Sequence, residues 1–139
     1  MIRTGDEYRE SLRDGRVVYM DGERIADVTT HPAFAPIVDV RARIYDMAHD
    51  PATADIMSYT DPRTGERNAI GPKLPRTRDD WRAKRLAVDT ELDDIRGIVT
   101  RVGDETVGEM WSLYDGQDLL HDIDPRFTEN IRRHVAHAV

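Results

Sequence analysis

Apolar residues recur every three or four positions in three separate stretches of this chain, which is the spacing of a helix buried along one face. Each stretch is long enough for three or more turns, so the chain must fold mainly as packed helices. The three predicted buried faces consist of Ile37, Val40, Ile44 and Met47; of Trp81, Val88, Leu92, Ile95 and Val99; and of Phe127, Ile131, Val135 and Ala138.

Start signals precede the first two predicted helices. Thr4 and Glu7 have the spacing of a capping box, in which each side chain bonds to the backbone N–H of the other, so we expect a short helix over 5–13. Pro32 suits the first turn of the next helix, which His49-Asp50-Pro51 ends.

Acidic residues mark the later helices. Thr77, with Asp79 and Asp80 behind it, predicts the start of the longest helix, because carboxylates suit the positive end of the helix dipole. We expect that helix to run to about Thr100. A helical turn is predicted over Val107–Leu113 with Trp111 packed inward, and Asp124-Pro125 begins the last helix.

Two stretches indicate hairpins. Asp21-Gly22 stands between Val17–Met20 and Glu23–Ile25, and Asp-Gly between such runs favours a tight two-residue turn. An isolated hairpin is barely stable in water, so this one must lie on something larger. Residues 60–76 hold three prolines and two glycines and are predicted to be a loop, with a possible β-turn between Tyr59 and Ala69-Ile70.

Length and charge limit the class of protein. The chain has 139 residues, enough for one domain, and a net charge of −7, which argues against general nucleic-acid binding. It has no cysteine, so disulfides and thiol catalysis are excluded. No apolar run approaches the roughly 20 residues that span a bilayer, and no signal peptide opens the chain. We expect a soluble, cytoplasmic protein with no membrane partner.

The histidines offer weak metal sites. His134 and His137 share a helix face, but their spacing implies no third ligand, and two solvated histidines are the better account. His121 lies near three aspartates, Asp118, Asp122 and Asp124, without the ligand pattern of a calcium loop, so a solvated acidic loop is preferred. The sequence predicts no metal.

A basic stretch is the remaining local feature. Between Arg63 and Arg85 the chain has eight basic residues and three acidic ones, which could meet phosphates or an acidic partner, although a solvated helix start is the commoner explanation. No glycine-rich phosphate loop, nucleophile elbow or paired-carboxylate motif is present, and no catalytic residue is predicted.

The opening of the chain has an ordered set of residues that follows a known pattern. They are Tyr8, Ser11, Leu12, Asp14-Gly15-Arg16, Gly22-Glu23, Asp27-Val28-Thr29, His31-Pro32 and Phe34. With these residues the opening resembles the start of the 4-hydroxyphenylacetate 3-hydroxylase family, the oxygenase components of two-component flavin monooxygenases. "IYDMAHDP" and "RTRDDWRAKR" are also similar to the family's amino-terminal domain, so the resemblance covers nearly the whole chain.

The resemblance implies a mostly helical amino-terminal domain of an acyl-CoA-dehydrogenase-like fold, with one or two small hairpins. Residues 1–139 would form that single domain, without the β-rich middle domain and carboxy-terminal helical bundle of the family, and would be inactive alone. The first hairpin would lean on the rest of the subunit or on a neighbouring subunit. The implied cofactor is reduced FAD from a separate flavin reductase, although this chain alone is not expected to bind it securely and its cofactor-binding residues are unknown. The implied reaction hydroxylates a phenol with O₂.

The resemblance also implies a substrate contact just after the long helix, where the family has Gly-x-x-Gly-Arg-x-Pro-Asp-Tyr. The implied substrate-binding residues here are Arg101, Val102, Gly103, Asp104 and Glu105. Arg101 falls on the family's arginine and Asp104 on its aspartate, whereas Thr100, Gly103 and Glu105 replace its second glycine, proline and tyrosine. A carboxylate at Glu105 would repel an acidic substrate unless Arg101 pairs with it, so we expect a neutral, basic or differently shaped aromatic.

Two alternatives remain for Arg101 and for the chain. Arg101 could equally be a surface residue that ends a helix, where a cation is favourable. The chain could be a free-standing helical interaction or assembly module that kept the fold without the chemistry, with exposed apolar helix surface that favours self-association.

Overall fold

The computed structural model describes residues 2–97 and 104–138, which form seven helices and two antiparallel hairpins. No helix in these two ranges is both long and apolar enough to cross a membrane. The elements in chain order are α1 (Gly5–Ser11), β1 (Val18–Met20), β2 (Glu23–Ile25), α2 (Ala35–Met47), α3 (Ala54–Met57), β3 (Ser58–Thr60), β4 (Arg67–Ala69), α4 (Arg78–Asp94), α5 (Asp104–Asp115), α6 (Gln117–His121) and α7 (Pro125–Ala138).

The first hairpin is confirmed at the predicted turn. Asp21 and Gly22 both have positive φ, 52° and 84°, as a type I′ turn requires, and Val18 pairs with Ile25 across the strands. Ile25 is buried, whereas Tyr19 is 63% exposed. Behind the hairpin the Arg13 guanidinium donates to Asp27 Oδ2 at 3.0 Å, so the segment after β2 is tied to the end of α1.

Helix α1 packs closely against α2, and Gly5 makes that approach possible. A Cβ on Gly5 would lie 2.5 Å from Asp46 Oδ2 and 2.7 Å from the Ala42 carbonyl oxygen. The Gly5 N–H donates to Asp46 Oδ1 at 2.7 Å, and the rings of Tyr8 and Tyr45 stack with centroids 5.0 Å apart. The capping box of Thr4 and Glu7 is present, as predicted, although the helix stops at Ser11 rather than Arg13.

The core joins α2, α3, the second hairpin and α4. The side chain of Met47, at the end of α2, is fully buried. Buried residues from the other elements pack with it: Ala48, Met57, Ile70 and Ala87. The Ile70 N–H donates to the Met57 carbonyl at 3.0 Å, which extends the β3–β4 hairpin by one bond and holds it on this core. The turn predicted between Tyr59 and Ala69 is therefore confirmed as a hairpin.

Helix α2 begins later than predicted. His31 and Pro32 form the turn before it, and the helix starts at Ala35 with Pro36 in its first turn. The buried face is also rotated: Val38, Ala42 and Met47 are buried, whereas Ile37 is 45% exposed. The rotation turns Ala42 toward α1, because the Ala42 carbonyl oxygen is one of the atoms nearest to Gly5.

Helix α4 starts with the predicted cap. Thr77 Oγ1 accepts from the Asp80 N–H at 3.1 Å, and Asp80 Oδ2 accepts from the N–H groups of Thr77 at 2.9 Å and Arg76 at 3.0 Å. The Lys73 ammonium also bonds to Asp80. These contacts, the one from Lys73 first, hold the pKa of Asp80 well below its usual range.

The prediction that this helix continues to Thr100 is wrong, because it ends at Asp94. Arg96 and Gly97 have positive φ, 59° and 71°, and the Gly97 N–H bonds to the Leu92 carbonyl at 2.7 Å, which closes the helix. Trp81 was predicted to be buried and is 60% exposed, whereas Ile95, predicted for the same face, is buried, as is Ala87. Val99, assigned to that face, lies outside the described residues.

Helices α5, α6 and α7 form the last part of the described chain. A full helix, Asp104–Asp115, replaces the single turn predicted around Val107–Leu113. Trp111 is buried, as predicted, and Thr128 of α7 is also buried. The α7 face is less covered than predicted, because Phe127 is 45% exposed and Ile131 and Val135 are half-buried.

Two glycine-to-alanine substitutions should change stability in opposite directions. Gly5→Ala places a methyl group against Asp46 and the Ala42 carbonyl, so we expect the free energy of unfolding to fall by about 1–3 kcal/mol. Gly108→Ala in α5 meets no atom within 4 Å and should raise it by about 0.5–1 kcal/mol. Urea unfolding followed by circular dichroism measures both, and equal effects of the two variants would contradict the close approach of α1 and α2.

Removing the Asp80 charge should change the acid sensitivity of the fold. Because the folded state lowers the pKa of Asp80, its contribution is complete at neutral pH and is lost as the pH falls through the folded value. Asp80→Asn should therefore lower the free energy of unfolding at pH 7, and the difference from the parent chain should shrink toward pH 3. Asp79→Asn, an exposed neighbour paired with Arg82, is the control and should have little effect. A pH-independent loss in Asp80→Asn would contradict the role of the charge.

Candidate functional site

The predicted substrate segment falls largely outside the part of the chain that the structure describes. Arg101, Val102 and Gly103 lie between the two described ranges, while Asp104 and Glu105 form the first turn of α5. Two acidic residues at a helix start are favourable against its dipole. The role of these five residues in substrate binding therefore stays a prediction.

The structure does show the contacts that hold the end of α4, just before that segment. Arg43 of α2 binds Asp94, the last residue of α4, through two parallel bonds of 2.9 and 2.7 Å, and also contacts Asp50 at 3.4 Å. A carboxylate at a helix carboxyl end opposes the helix dipole, so Asp94 depends on Arg43, which lowers its pKa. The turn at Arg96 and Gly97 follows at once, so the segment leaves α4 from a fixed point.

A large cleft lies between the second hairpin and the last helices. Its volume is about 880 Å³. One wall comes from the β3–β4 hairpin and the segment leading into α4, and the other from α5 and α7. The side chains that matter for its chemistry are Tyr59, Asp61, Arg63, Glu66, Lys73, Arg76, Asp80, Trp111, Tyr114 and Arg132.

Aromatic side chains form much of the cleft wall. Trp111 and Tyr114 meet edge to face with centroids 6.2 Å apart, and the Lys73 ammonium lies 4.9 Å from the centroid of Tyr59. The indole Nε1 of Trp111 is buried and has no acceptor within the described chain. A buried donor without a partner costs about 1–3 kcal/mol. Among the described side chains, the Trp111 Nε1–H is a buried donor of this kind.

The charges of the cleft are only partly paired. Arg63 bonds to Asp61 at 2.9 Å and lowers the pKa of Asp61 to about 2, and Lys73 is paired with Asp80. Arg132 donates from Nε to the Gln117 side chain at 2.9 Å. Among the side chains that the structure describes, which leave out those of 104–107, 137 and 138, no carboxylate is within ion-pair distance of Arg132 or Arg76.

The basic stretch seen in the sequence is divided by the fold. Arg63, Lys73 and Arg76 line the cleft, whereas Arg82 and Arg85 pair with Asp79 and Asp89 on the outer surface of α4. The cleft could not be predicted from the sequence, because its walls come from two separate stretches, residues 59–80 and 111–136. The sequence pattern indicated only the basic residues that follow Tyr59.

His121 is exposed, and its Nδ1 lies 3.3 Å from Thr128 Oγ1. The side chain of His137, paired with His134 in the sequence analysis, lies outside the described residues. Among the described side chains, those of 2–97 and 108–136, no three histidine or carboxylate groups come close enough to hold a metal ion.

Comparison with known proteins places the chain in a family. The family model for the amino-terminal part of 4-hydroxyphenylacetate 3-hydroxylase matches residues 4–139. The oxygenase component of 4-hydroxyphenylacetate 3-monooxygenase from a Geobacillus strain is 32% identical over 98% of the chain. The oxygenase component of 4-nitrophenol 2-monooxygenase from a Rhodococcus species is 42% identical over 97% of the chain. The chain spans 27% and 25% of the length of these two relatives.

A solved structure has the same fold. The crystal structure of the oxygenase component of 4-hydroxyphenylacetate 3-monooxygenase, complexed with FAD, superposes with a TM-score of 0.83 at 29% identity. The match covers 97% of this chain and 27% of that one, and it confirms the predicted, mostly helical fold. With the helices, both hairpins and the sequence in agreement, the chain belongs to the 4-hydroxyphenylacetate 3-hydroxylase amino-terminal family.

Proposed function

We propose that residues 1–139 form the amino-terminal helical domain of the oxygenase component of a reduced-FAD-dependent monooxygenase that hydroxylates a phenol or related aromatic with O₂. The observation that carries the proposal is the family match over residues 4–139. Relatives named for hydroxylating two different phenols support the reaction type. The proposed partners are a separate flavin reductase and the other domains or subunits of the oxygenase.

Within this function Arg101 would bind the phenolic oxygen. A guanidinium presents several N–H donors in a fixed plane and stays charged, so it can fix the orientation of a phenolate and stabilise its charge. Asp104 and Glu105, three and four residues further along the chain, would lie beside the same ring. The Arg43–Asp94 pair and the turn at Gly97 would position the segment, without touching the substrate.

The residues described here do not fit a complete flavin site. A flavin pyrophosphate is commonly held at a glycine-rich turn that opens a helix, and no such turn occurs in 2–97 or 104–138. Gly22, Gly65 and Gly97, which have positive φ, lie instead in hairpin loops and at a helix end. In such enzymes the flavin supplies the oxygen chemistry. This domain's part in the proposal is to bind and orient the aromatic ring.

Glu105 should select against acidic substrates. The family's tyrosine is replaced by a carboxylate in the segment proposed to contact the ring, so a substrate with its own carboxylate would meet a like charge. The substrate class that fits is a neutral or basic phenol, or an aromatic of different shape.

A chimeric oxygenase tests the proposal. This chain would replace the matching segment of the Geobacillus oxygenase component, and hydroxylation of a panel of phenols would be measured with reduced FAD and O₂. We expect turnover of at least one neutral phenol. Arg101→Gln should lower kcat/KM by roughly 10- to 100-fold, the loss of a hydrogen bond from a charged group.

Arg82→Gln is the control, because Arg82 is an exposed arginine near the start of α4 rather than at the turn before the proposed segment. It should leave kcat/KM within about twofold. A chimera that assembles to the parent's size and binds FAD, yet hydroxylates no phenol in the panel, would contradict the proposed function. Equal losses in Arg101→Gln and Arg82→Gln would contradict the role of Arg101.

A further inference from the structure

We propose that the cleft between the β3–β4 hairpin and helices α5 and α7 is a binding site for a small aromatic anion, a ring that carries a carboxylate or phosphate group. None of the described lining residues belongs to the segment 101–105 proposed to contact the oxygenase substrate. Trp111 follows Asp104 by seven residues of α5, which is about 10 Å along the helix axis.

The aromatic part of the ligand is indicated by the cleft walls. Tyr59 contributes a ring from the hairpin, and Trp111 and Tyr114 contribute two from α5. Leu74, Val135 and Ala136 supply apolar contacts around them. At about 880 Å³ the cleft lies within the size range of small-molecule sites, and apolar walls with a few polar groups are typical of them.

The anionic part is indicated by the guanidinium groups. Arg63 and Lys73 are already paired with Asp61 and Asp80, so neither needs a ligand. Arg76 and Arg132 also line the cleft and have no carboxylate partner within the described chain. They lie on opposite walls, on the segment before α4 and on α7. A guanidinium binds planar carboxylates and phosphates through paired hydrogen bonds. An anion in the cleft would therefore find guanidinium donors on both walls.

Two further observations favour a ligand over an empty surface. The Gln117 side chain accepts from Arg132 Nε at 2.9 Å, which leaves the terminal nitrogens of that guanidinium as donors. Glu66 is the one unpaired carboxylate of the described lining, and it leaves the unpaired groups with a net positive charge in a chain of net charge −7.

Isothermal titration calorimetry on the 139-residue chain tests the site with three probes of one ring type. These are 4-nitrobenzoate, 4-nitrophenyl phosphate and the uncharged 4-nitrobenzyl alcohol. We expect saturable one-to-one binding of at least one anion and at least tenfold weaker binding of the alcohol. Binding of 4-nitrobenzoate alone identifies a carboxylate site, and binding of 4-nitrophenyl phosphate alone identifies a phosphate site.

Variants on each wall locate the binding. Arg76→Gln and Arg132→Gln should each weaken the anion about tenfold, the loss of one charge-assisted contact. Arg78→Gln and Arg133→Gln are the matched controls, because each lies near its counterpart and lines no part of the cleft. The Arg76 side chain has no hydrogen-bond or ion-pair partner among the described side chains, so Arg76→Gln should leave the melting temperature unchanged. Its affinity therefore still tests the proposal if Arg132→Gln disturbs α7.

Three results would overturn the proposal: no saturable binding of either anion, equal binding of the alcohol, or equal affinities in Arg76→Gln and Arg78→Gln. None of them depends on Arg101 or on oxygenase activity. A failure here is therefore distinct from a failure of the chimeric oxygenase.

Discussion

The fully buried side chain of Met47 is the contact on which the arrangement of the other elements depends. It packs with Met57, Ile70 and Ala87, and so joins α2, α3, the second hairpin and α4 around one small core. Because Ile70 directly follows β4 and Ala87 lies within α4, this core also holds the hairpin against α4. The hairpin wall of the cleft is thereby held by a few apolar contacts.

The helices, hairpins and caps could be predicted because they depend on neighbours in the sequence. Asp21-Gly22 and the Thr77–Asp80 box specify their own geometry through positive φ and short-range hydrogen bonds. The end of α4 could not be predicted, because Arg96 must take a left-handed conformation that few non-glycine residues adopt. Trp81 was misplaced because a periodic pattern shows that a face is apolar, whereas tertiary packing decides which of its residues are covered, here Ile95 but not Trp81.

The candidate sites divide in the same way. Arg101 to Glu105 could be proposed from the sequence, because the family motif is contiguous. The cleft could not, because Tyr59, Arg76, Trp111 and Arg132 meet only after folding. Helices α5 to α7 also leave large apolar side chains in water, with Leu119 75% and Ile123 73% exposed. Under the proposed function these are the side chains that the rest of an oxygenase would cover, and as a lone module the chain would use them for self-association.

The most direct test of the account is an anaerobic titration of this chain with reduced FAD, followed by flavin fluorescence and by the melting temperature. The described residues contain aromatic walls and arginines but no pyrophosphate-binding turn. We therefore expect no micromolar binding of reduced FAD and no rise in the melting temperature of the chain. A micromolar dissociation constant with a raised melting temperature would contradict it, because a usable flavin site would then exist within these 139 residues.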